Sequence, residues 1–546
     1  MMSKNYFLLI ICFVLSISLC YTQSWKNYPY SPSGSLISFP NDEGRHDGEP
    51  IEWWYTSGHL SGTNTGNHYS YMLSFFYYPA YGYDGFRIFN LSNDDSGQFF
   101  SDVKPLNYID LALDSLNIQA YISPEITDRW ANKTDVNGKM IPFEYSLSAI
   151  SDDGTINLEY DALKPPLILG DNGFFNQGAT SYTYYYSQTK NSVSGTINFN
   201  GITEDVIGTS WIDRQYGTFN PLTEEDYEWF CIQLSNDMDI NLWNLFTKDR
   251  HLPDTSTYRY MSVYVDDNTQ YTTDNFEIER LSFHFMPDSG RCYSQKWRLT
   301  SSVNNMDLII TTFQNNSEVQ LPFRFFEGST TITGTVNGIP VNGIGFAELL
   351  HSYEKPDITI SNPTGGSWNS FVPIRWYLRN ADDGRPLKYD LEYSIDNKQS
   401  FFPIVQALTD TLYYWESPSL ASGDSCWFKV TAYSIDSTLQ NAFFSSNPAI
   451  FNPDLTSVYL SENKMNDNRI IHLYPNPTKD MLMIDLNNRH PFLQYQIVNV
   501  FGQIFFQESI NNSNKLEIDL LGLASGVYFI GLISEDRTVV SKFIVR

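Results

Sequence analysis

Two segments of the 546-residue chain combine acidic with aromatic side chains, as a site that moves protons in apolar surroundings requires. The first, residues 39–60, reads FPNDEGRHDGEPIEWWYTSGHL, and the second, residues 208–230, reads GTSWIDRQYGTFNPLTEEDYEWF. Because side chains alternate along a strand, Trp211 and Asp213 share one face of the second segment, and Arg214 lies on the other. Burial beside aromatic rings raises the pKa of a carboxyl group, so Asp213 is a candidate general acid.

Familiar catalytic signatures are absent from the sequence. It contains no G-x-S-x-G, no H-E-x-x-H, no P-loop and no G-x-G-x-x-G. None of the eight histidines is spaced i, i+4 from another, and no C-x-x-C occurs. We therefore expect neither a metal ion nor a cofactor.

The elements that must position these residues are predicted to be strands. Aromatic and β-branched runs bounded by turn residues recur, as in YSYMLSFFYY at 69–78 and MDINLWNLFT at 238–247. Amphipathic patterns long enough for more than three helical turns are scarce, and aromatic residues make up 16% of the chain. The pattern predicts an all-β protein.

A short repeated sequence pattern predicts how these strands are grouped into domains. The pattern consists of Glu, Trp and an aromatic residue at the start of a strand, followed by a turn and a second strand. It begins at Glu52 and occurs again at Glu228. We expect two related β-barrels of similar topology, at 25–200 and 201–354, with a boundary near 190–205.

The N-terminus and the charge balance bear on location and partners. Lys4 precedes an apolar run at 6–19, and polar residues follow it, so residues 1–23 are predicted to be a secretory signal peptide. No later run is apolar enough to predict a transmembrane segment in the mature chain. The net charge of −28 argues against binding to nucleic acid or to anionic lipid.

Residues 30–350 resemble the AttH/CrtC superfamily, the lipocalin-like relatives of carotenoid 1,2-hydratase. The first segment carries F-P-x-D, a histidine and E-W-W-Y-x-x-G-x-L, and the second carries G-x-x-W-x-D-R-x-x-G and then E-W-F. The resemblance implies two packed lipocalin-like barrels and a hydrophobic pocket. The superfamily includes hydratases, cyclases and members of unknown activity, and Gln215 stands where many relatives have an acidic residue.

Two further resemblances concern the C-terminal part. Residues 355–452 resemble a fibronectin type III domain, and 452–469 read as a polar linker. Residues 470–546 resemble the type IX secretion sorting domain of the Bacteroidota, through LYPNPTKDMLMIDL, YQIVNVFGQIFF and the ending SKFIVR. That resemblance implies recognition by the type IX secretion machinery and a secreted or cell-surface location. The expected architecture is two lipocalin-like β-barrels followed by two Ig-like β-sandwich domains.

The leading hypothesis is an exported protein that binds a hydrophobic small molecule of polyene or isoprenoid type in a β-barrel pocket and adds water to a C=C bond. Asp213 is the expected proton donor, and three side chains are candidates to orient water: His46, Tyr55 and Tyr216. Four rings are expected to contact the ligand: Trp53, Trp54, Trp211 and Trp229. Two alternatives stay open, a non-catalytic binding protein and a hydrolase that uses paired carboxylates.

A structural role is expected for the remaining charged residue of the second segment. Arg214 is predicted to pair with Glu228 or Glu52 on the outer side of a barrel wall.

Overall fold

The structure, a computed structural model, describes most of the chain. The described residues are 23–82, 84–222, 225–320, 322–368, 371–417, 420–452, 472–486, 492–499, 504–510, 515–534 and 538–546. The predicted signal peptide and the predicted linker lie outside them, apart from residues 23 and 452. No helix in this described part of the chain is long and apolar enough to cross a membrane.

The first twelve strands form one antiparallel sheet. They are β1 Ile51–Gly62, β2 His68–Tyr77, β3 Gly85–Asn93, β4 Gln98–Leu111, β5 Asn117–Ser123, β6 Ile126–Thr134, β7 Met140–Ile150, β8 Gly154–Ala162, β9 Leu167–Ile168, β10 Phe174–Gln177, β11 Ser181–Phe199 and β12 Ile202–Gly217. Strands β1 to β8 follow one another, β12 pairs with β1, and the long β11 joins β12 to β8. Ten strands thus close into a barrel.

Alternation along β1 gives the barrel wall two apolar faces. Trp54 and Leu60 point inward to a core built only from barrel strands. Trp53 and Tyr55 point outward to a core shared with the second sheet. Two short 3-10 helices accompany the barrel, Asn41–Glu43 before β1 and Pro79–Tyr81 after β2.

Ten strands form the second antiparallel sheet. They are β13 Tyr227–Leu234, β14 Asp239–Leu245, β15 Arg259–Asp266, β16 Thr269–Thr273, β17 Glu277–Phe285, β18 Cys292–Ser301, β19 Met306–Thr312, β20 Glu318–Val319, β21 Phe325–Val336 and β22 Ile339–Leu349. The order runs β16-β15-β14-β13-β22-β21-β19-β18-β17, with β20 on β21, and a short 3-10 helix spans Val303–Asn305. In the described residues the end strands do not pair, so this sheet is a half-barrel around its own core.

The boundary between the two sheets differs from the predicted one. A division at residue 200 separates β11 from β12, yet these two strands pair along most of their length. The reason is that β12 closes the barrel between β11 and β1, so the first sheet extends to Gly217 and the second begins at Tyr227.

Further β-sheets follow, and the all-β architecture is confirmed. Strands β23 Ile358–Asn362, β24 Gly366–Trp368, β25 Phe371–Leu378, β26 Leu387–Ser394, β27 Phe402–Leu408, β28 Leu412–Glu416, β29 Ser425–Ser434, β30 Gln440–Phe444 and β31 Ala449–Phe451 occupy the fibronectin-like region. The C-terminal region has β32 His472–Tyr474, β33 Met481–Asp485, β34 Gln494–Asn499, β35 Ile504–Ser509, β36 Lys515–Asp519, β37 Gly526–Ile533 and β38 Thr538–Val545. The latter form two sheets, β32-β33-β36 and β35-β34-β37-β38, around one apolar core.

Candidate functional site

The candidate site is a cavity between the barrel and the half-barrel sheet, not inside a barrel. It holds about 30 Å³, room for one or two water molecules. The barrel supplies the outward side chains of β1, β2, β3, β11 and β12, and the second sheet supplies side chains of β13, β14, β21 and β22. The lining residues are Trp53, Tyr55, Met72, Ser74, Phe76, Ile88, Tyr185, Asp213, Phe219, Pro221, Tyr227, Trp229, Trp243, Phe323, Phe325 and Glu348. None of these residues is basic.

Asp213 is held at the barrel wall of this cavity by three donors. Trp211 Nε1 and Ser187 Oγ donate to its Oδ1 at 2.7 and 2.5 Å, and the Tyr185 hydroxyl donates to Oδ2 at 2.6 Å. Burial raises the pKa of Asp213 to about 7, against the lowering effect of these hydrogen bonds, and the negative charge of Glu348 adds to the rise. Asp213 therefore exchanges a proton near neutral pH, as a general acid must.

Asn241 of β14 links this carboxyl group to the second sheet. Its amide Nδ2 donates to Tyr185 Oη at 3.2 Å and to Ser187 Oγ at 3.0 Å, while its Oδ1 accepts from Trp229 Nε1 at 3.1 Å. The amide thus orients two of the three groups that bind Asp213.

Two more carboxyl groups lie on the opposite wall, which the second sheet forms. Glu327 of β21 and Glu348 of β22 are directly opposite each other in the strand register. The Tyr55 hydroxyl donates to Glu327 Oε1 at 2.9 Å, and the Tyr227 hydroxyl donates to Glu348 Oε1. Burial raises the pKa of both carboxyl groups, and for Glu327 the neighbouring charge of Glu348 raises it further.

Aromatic rings provide most of the remaining lining. Tyr55 and Trp229 meet edge to face with ring centres 5.3 Å apart, and Trp229 lies 6.4 Å from Trp243. Faces of such rings attract a cation, so the wall suits a substrate that develops positive charge.

The structure does not bring all the predicted site residues together. Tyr55, Asp213, Trp53 and Trp229 line the cavity, and Trp211 contacts Asp213 from beside it. Trp54 faces the barrel interior, where its ring lies 3.9 Å from the Arg214 guanidinium. Alternation explains this separation, since Trp54 is out of phase with Trp53 and Tyr55.

His46 and Tyr216 belong to a second, separate cluster at the end of the barrel. Their rings stack with centres 3.6 Å apart, and both side chains bind the Asp42 carboxylate. His46 Nδ1 also lies 3.1 Å from Glu52 Oε2. Neither residue lines the cavity, because Tyr216, three residues after Asp213, points to the opposite face of β12, and their role in orienting water stays a prediction.

The predicted ion pair forms with one of the two proposed partners and on the other side of the wall. Arg214 binds Glu52, the backbone oxygen of Gly44 at 2.5 Å and that of Trp53 at 3.3 Å. These contacts lie on the inner side of the barrel. Arg214 and Glu52 are on the paired strands β12 and β1, and both side chains point inward. Glu228 is not the partner of Arg214, since it pairs with Arg280 of the second sheet at 2.5 Å.

Several residues of the site were not found by sequence reasoning. They are Tyr185, Ser187, Asn241, Glu327 and Glu348. The two glutamates did carry a signal, because each is a single acidic residue within an apolar run, FRFFEG at 323–328 and GFAELL at 345–350. Tyr185 gave none, since it is one of four tyrosines in SYTYYYS.

Possible metal ligands do not cluster in the described part of the chain. There, no group of three or more His, Cys, Asp or Glu side chains is arranged to hold a metal ion. The three described cysteines, Cys231, Cys292 and Cys426, are buried free thiols.

Comparisons with known proteins match two parts of the chain. A family model described as AttH-like matches residues 30–353, and one described as a secretion system C-terminal sorting domain matches residues 472–546. The chain is similar to the kievitone hydratase of Fusarium solani subsp. phaseoli, with 23% identity over 334 residues, which cover 55% of this chain and 82% of that protein.

Two solved structures are also similar. One is a candidate AttH protein of Nitrosomonas europaea, with 22% identity and a TM-score of 0.47, covering 59% of this chain and 98% of that one. The other is the kievitone hydratase of Nectria haematococca, with 16% identity and a TM-score of 0.47, covering 60% and 98%.

Proposed function

This chain belongs to the AttH-like family, and on that premise we propose that it is an exported hydratase that adds water to a C=C bond of a hydrophobic small molecule, with Asp213 as the proton donor. The observation that carries the proposal is a carboxyl group with a pKa of about 7 on the wall of an aromatic cavity. The name of the related kievitone hydratase supports the reaction class, and the C-terminal sorting domain indicates export.

The reaction begins with protonated Asp213. The carboxylic acid gives its proton to one carbon of the double bond, which leaves a carbocation at the other carbon and a carboxylate at Asp213. The faces of Trp53, Trp229 and Trp243 stabilise that cation. A water molecule then adds to the cationic carbon and loses a proton, which completes the alcohol.

The lining favours a neutral, apolar substrate. Acidic groups repel an anion, and no basic side chain lines the cavity. A molecule larger than water needs the cavity to widen, and the stacked rings of Phe323 and Phe325, with centres 5.0 Å apart, lie at its edge. We expect these rings to move when a ligand of polyene or isoprenoid size binds.

Replacement of the acid tests the proposal directly. Asp213→Asn keeps the size of the side chain but cannot protonate an alkene, so turnover of a polyene and isoprenoid panel should fall about a hundredfold or more. Ligand binding, followed through tryptophan fluorescence, should persist with an unchanged melting temperature. In the parent protein, the rate should fall as pH rises through about 7, because only protonated Asp213 donates.

The matched control is Asp152→Asn. Asp152 belongs to the same barrel, its side chain is 83% exposed, and the variant should retain the parent rate. A rate equal to that of the parent in Asp213→Asn would exclude Asp213 as the acid. Binding without turnover in both proteins would instead support the non-catalytic binding protein.

A further inference from the structure

The glutamate pair on the second sheet has an arrangement that requires a shared proton. Glu327 and Glu348 are opposite partners on adjacent antiparallel strands, which places their side chains on one face within contact distance. Both carboxyl groups are buried, and the neighbouring charge of Glu348 adds to the effect of burial in raising the pKa of Glu327. Two buried carboxyl groups that are direct neighbours and have no cation beside them among the described residues cannot both ionise, so the pair holds one proton.

The neighbouring hydroxyl groups indicate which carboxyl group is neutral. Tyr227 donates to Glu348 Oε1, and Tyr55 donates to Glu327 Oε1. Glu327 Oε2 is buried and accepts no hydrogen bond from the described residues. An oxygen without a donor is poorly suited to carry negative charge, and burial with the charge of Glu348 raises the pKa of Glu327 well above its usual value, so the proton lies on Glu327 and Glu348 is the carboxylate.

Glu348 is also the member of the pair that lines the cavity, across from Asp213. The titratable groups facing the pair are Tyr55 from β1, Asp213 from β12, and Tyr227 and Cys231 from β13. All of them are neutral or anionic. Burial raises the pKa of Cys231 and of both tyrosines, so these three stay protonated. The two groups that face the substrate space and exchange protons are thus Asp213 on one wall and Glu348 on the other.

We propose, on the basis of the hydratase function above, that Glu348 is the catalytic base that accepts a proton from the attacking water, and that Glu327 is a positioning residue that keeps Glu348 in place and ionised. In each cycle Asp213 loses a proton to carbon, the water oxygen bonds to the cationic carbon, and Glu348 gains the proton that this water releases. The proton then passes from Glu348 back to Asp213, and the enzyme returns to its starting state with no net uptake or release.

Kinetics of two Glu348 variants test its role as the base. Glu348→Gln cannot accept a proton, so its kcat should fall about a hundredfold with a small change in KM. The parent rate should also fall at acid pH, where Glu348 becomes protonated, and Glu348→Gln should lose this acid limb while keeping the alkaline limb of Asp213. Glu348→Asp retains a carboxylate and should keep the acid limb at a reduced rate. Glu277→Gln, at an 81% exposed side chain of the same sheet, is the control.

The proton on Glu327 has its own readout, which is independent of turnover. Infrared spectroscopy of the folded parent should show the C=O stretch of a buried protonated carboxyl group above the pH at which Asp213 ionises, and Glu327→Gln should lose that band. Glu327→Gln should also shift the acid limb of the rate profile, which a purely structural residue would not do.

The outcomes separate the two proposals. A parent protein that hydrates the panel, together with a Glu348→Gln variant of equal kcat and unchanged acid limb, overturns the role of Glu348 and leaves the hydratase function standing. A parent protein that hydrates nothing overturns the hydratase function, and the base role with it. A missing infrared band overturns the shared proton in either case.

Discussion

Asp213 and Arg214 are neighbours in sequence, yet they lie in two different environments. Asp213 points out of the barrel to the cavity, and Arg214 points into the barrel to Glu52. A single strand therefore separates a carboxyl group whose pKa burial raises to about 7 from a buried ion pair. Because side chains alternate along β12, residues at odd-numbered positions such as Asp213 point outward and those at even-numbered positions such as Arg214 point inward.

Arg214→Ala is predicted to destabilise the protein strongly. It leaves the fully buried Glu52 carboxylate without its cationic partner, which costs about 3–5 kcal/mol in the free energy of unfolding. Chemical denaturation of the folded protein measures this loss. Arg298→Ala breaks a pair with Asp307 that is nearly half exposed, so water screens it and the stability should stay close to that of the parent. An unchanged stability of Arg214→Ala would contradict the structural role.

Strands β1 and β13 use the same short motif in the same way. Glu52 and Glu228 turn inward to an arginine of their own sheet, Arg214 and Arg280, while the tryptophan that follows each glutamate turns outward to the shared cavity. The recurrence seen in the sequence thus has a physical counterpart. Each copy anchors one sheet and contributes one ring to the space between the sheets.

Closure of the barrel depends on close contact between β11 and β8, and Gly195 stands at that contact. Its φ is +153°, and a Cβ there would lie 2.0 Å from the backbone oxygen of Asn157. Gly195→Ala should therefore destabilise the barrel by about 1–3 kcal/mol, measured by thermal or denaturant unfolding. Ser194→Ala, at the exposed neighbouring position, should leave stability unchanged. If Gly195→Ala were as stable as Ser194→Ala, the contact between β11 and β8 would tolerate a side chain at residue 195.

At the scale of the whole molecule, the family region and the sorting domain have separate tasks. The first contains the cavity, and the second is a compact β-unit with its own core. Deleting 470–546 should trap the protein in the periplasm of a host with type IX secretion, while the purified truncated protein keeps its ligand binding. Cell fractionation measures the location. Normal surface display of the truncated protein would refute recognition through this domain.

The sequence by itself determined the properties that depend on local periodicity and on recognisable motifs. The all-β class, the family and the sorting domain could be predicted, because strand alternation, turn residues and the E-W-W-Y and W-x-D-R motifs are local patterns. Alternation also separated Asp213 from Arg214, since side chains of a strand have a period of two.

Only the tertiary structure decided which face meets which neighbour. A barrel wall has an inner and an outer face, and the alternation of residues is the same whichever one carries the site. The cavity lies outside the barrel because the half-barrel sheet packs there and brings Glu327 and Glu348 opposite Asp213. Contacts between residues more than a hundred positions apart depend on strand order and on packing between sheets. No local pattern contains either of these, which is why the position of Glu348 across the cavity from Asp213 could not be predicted.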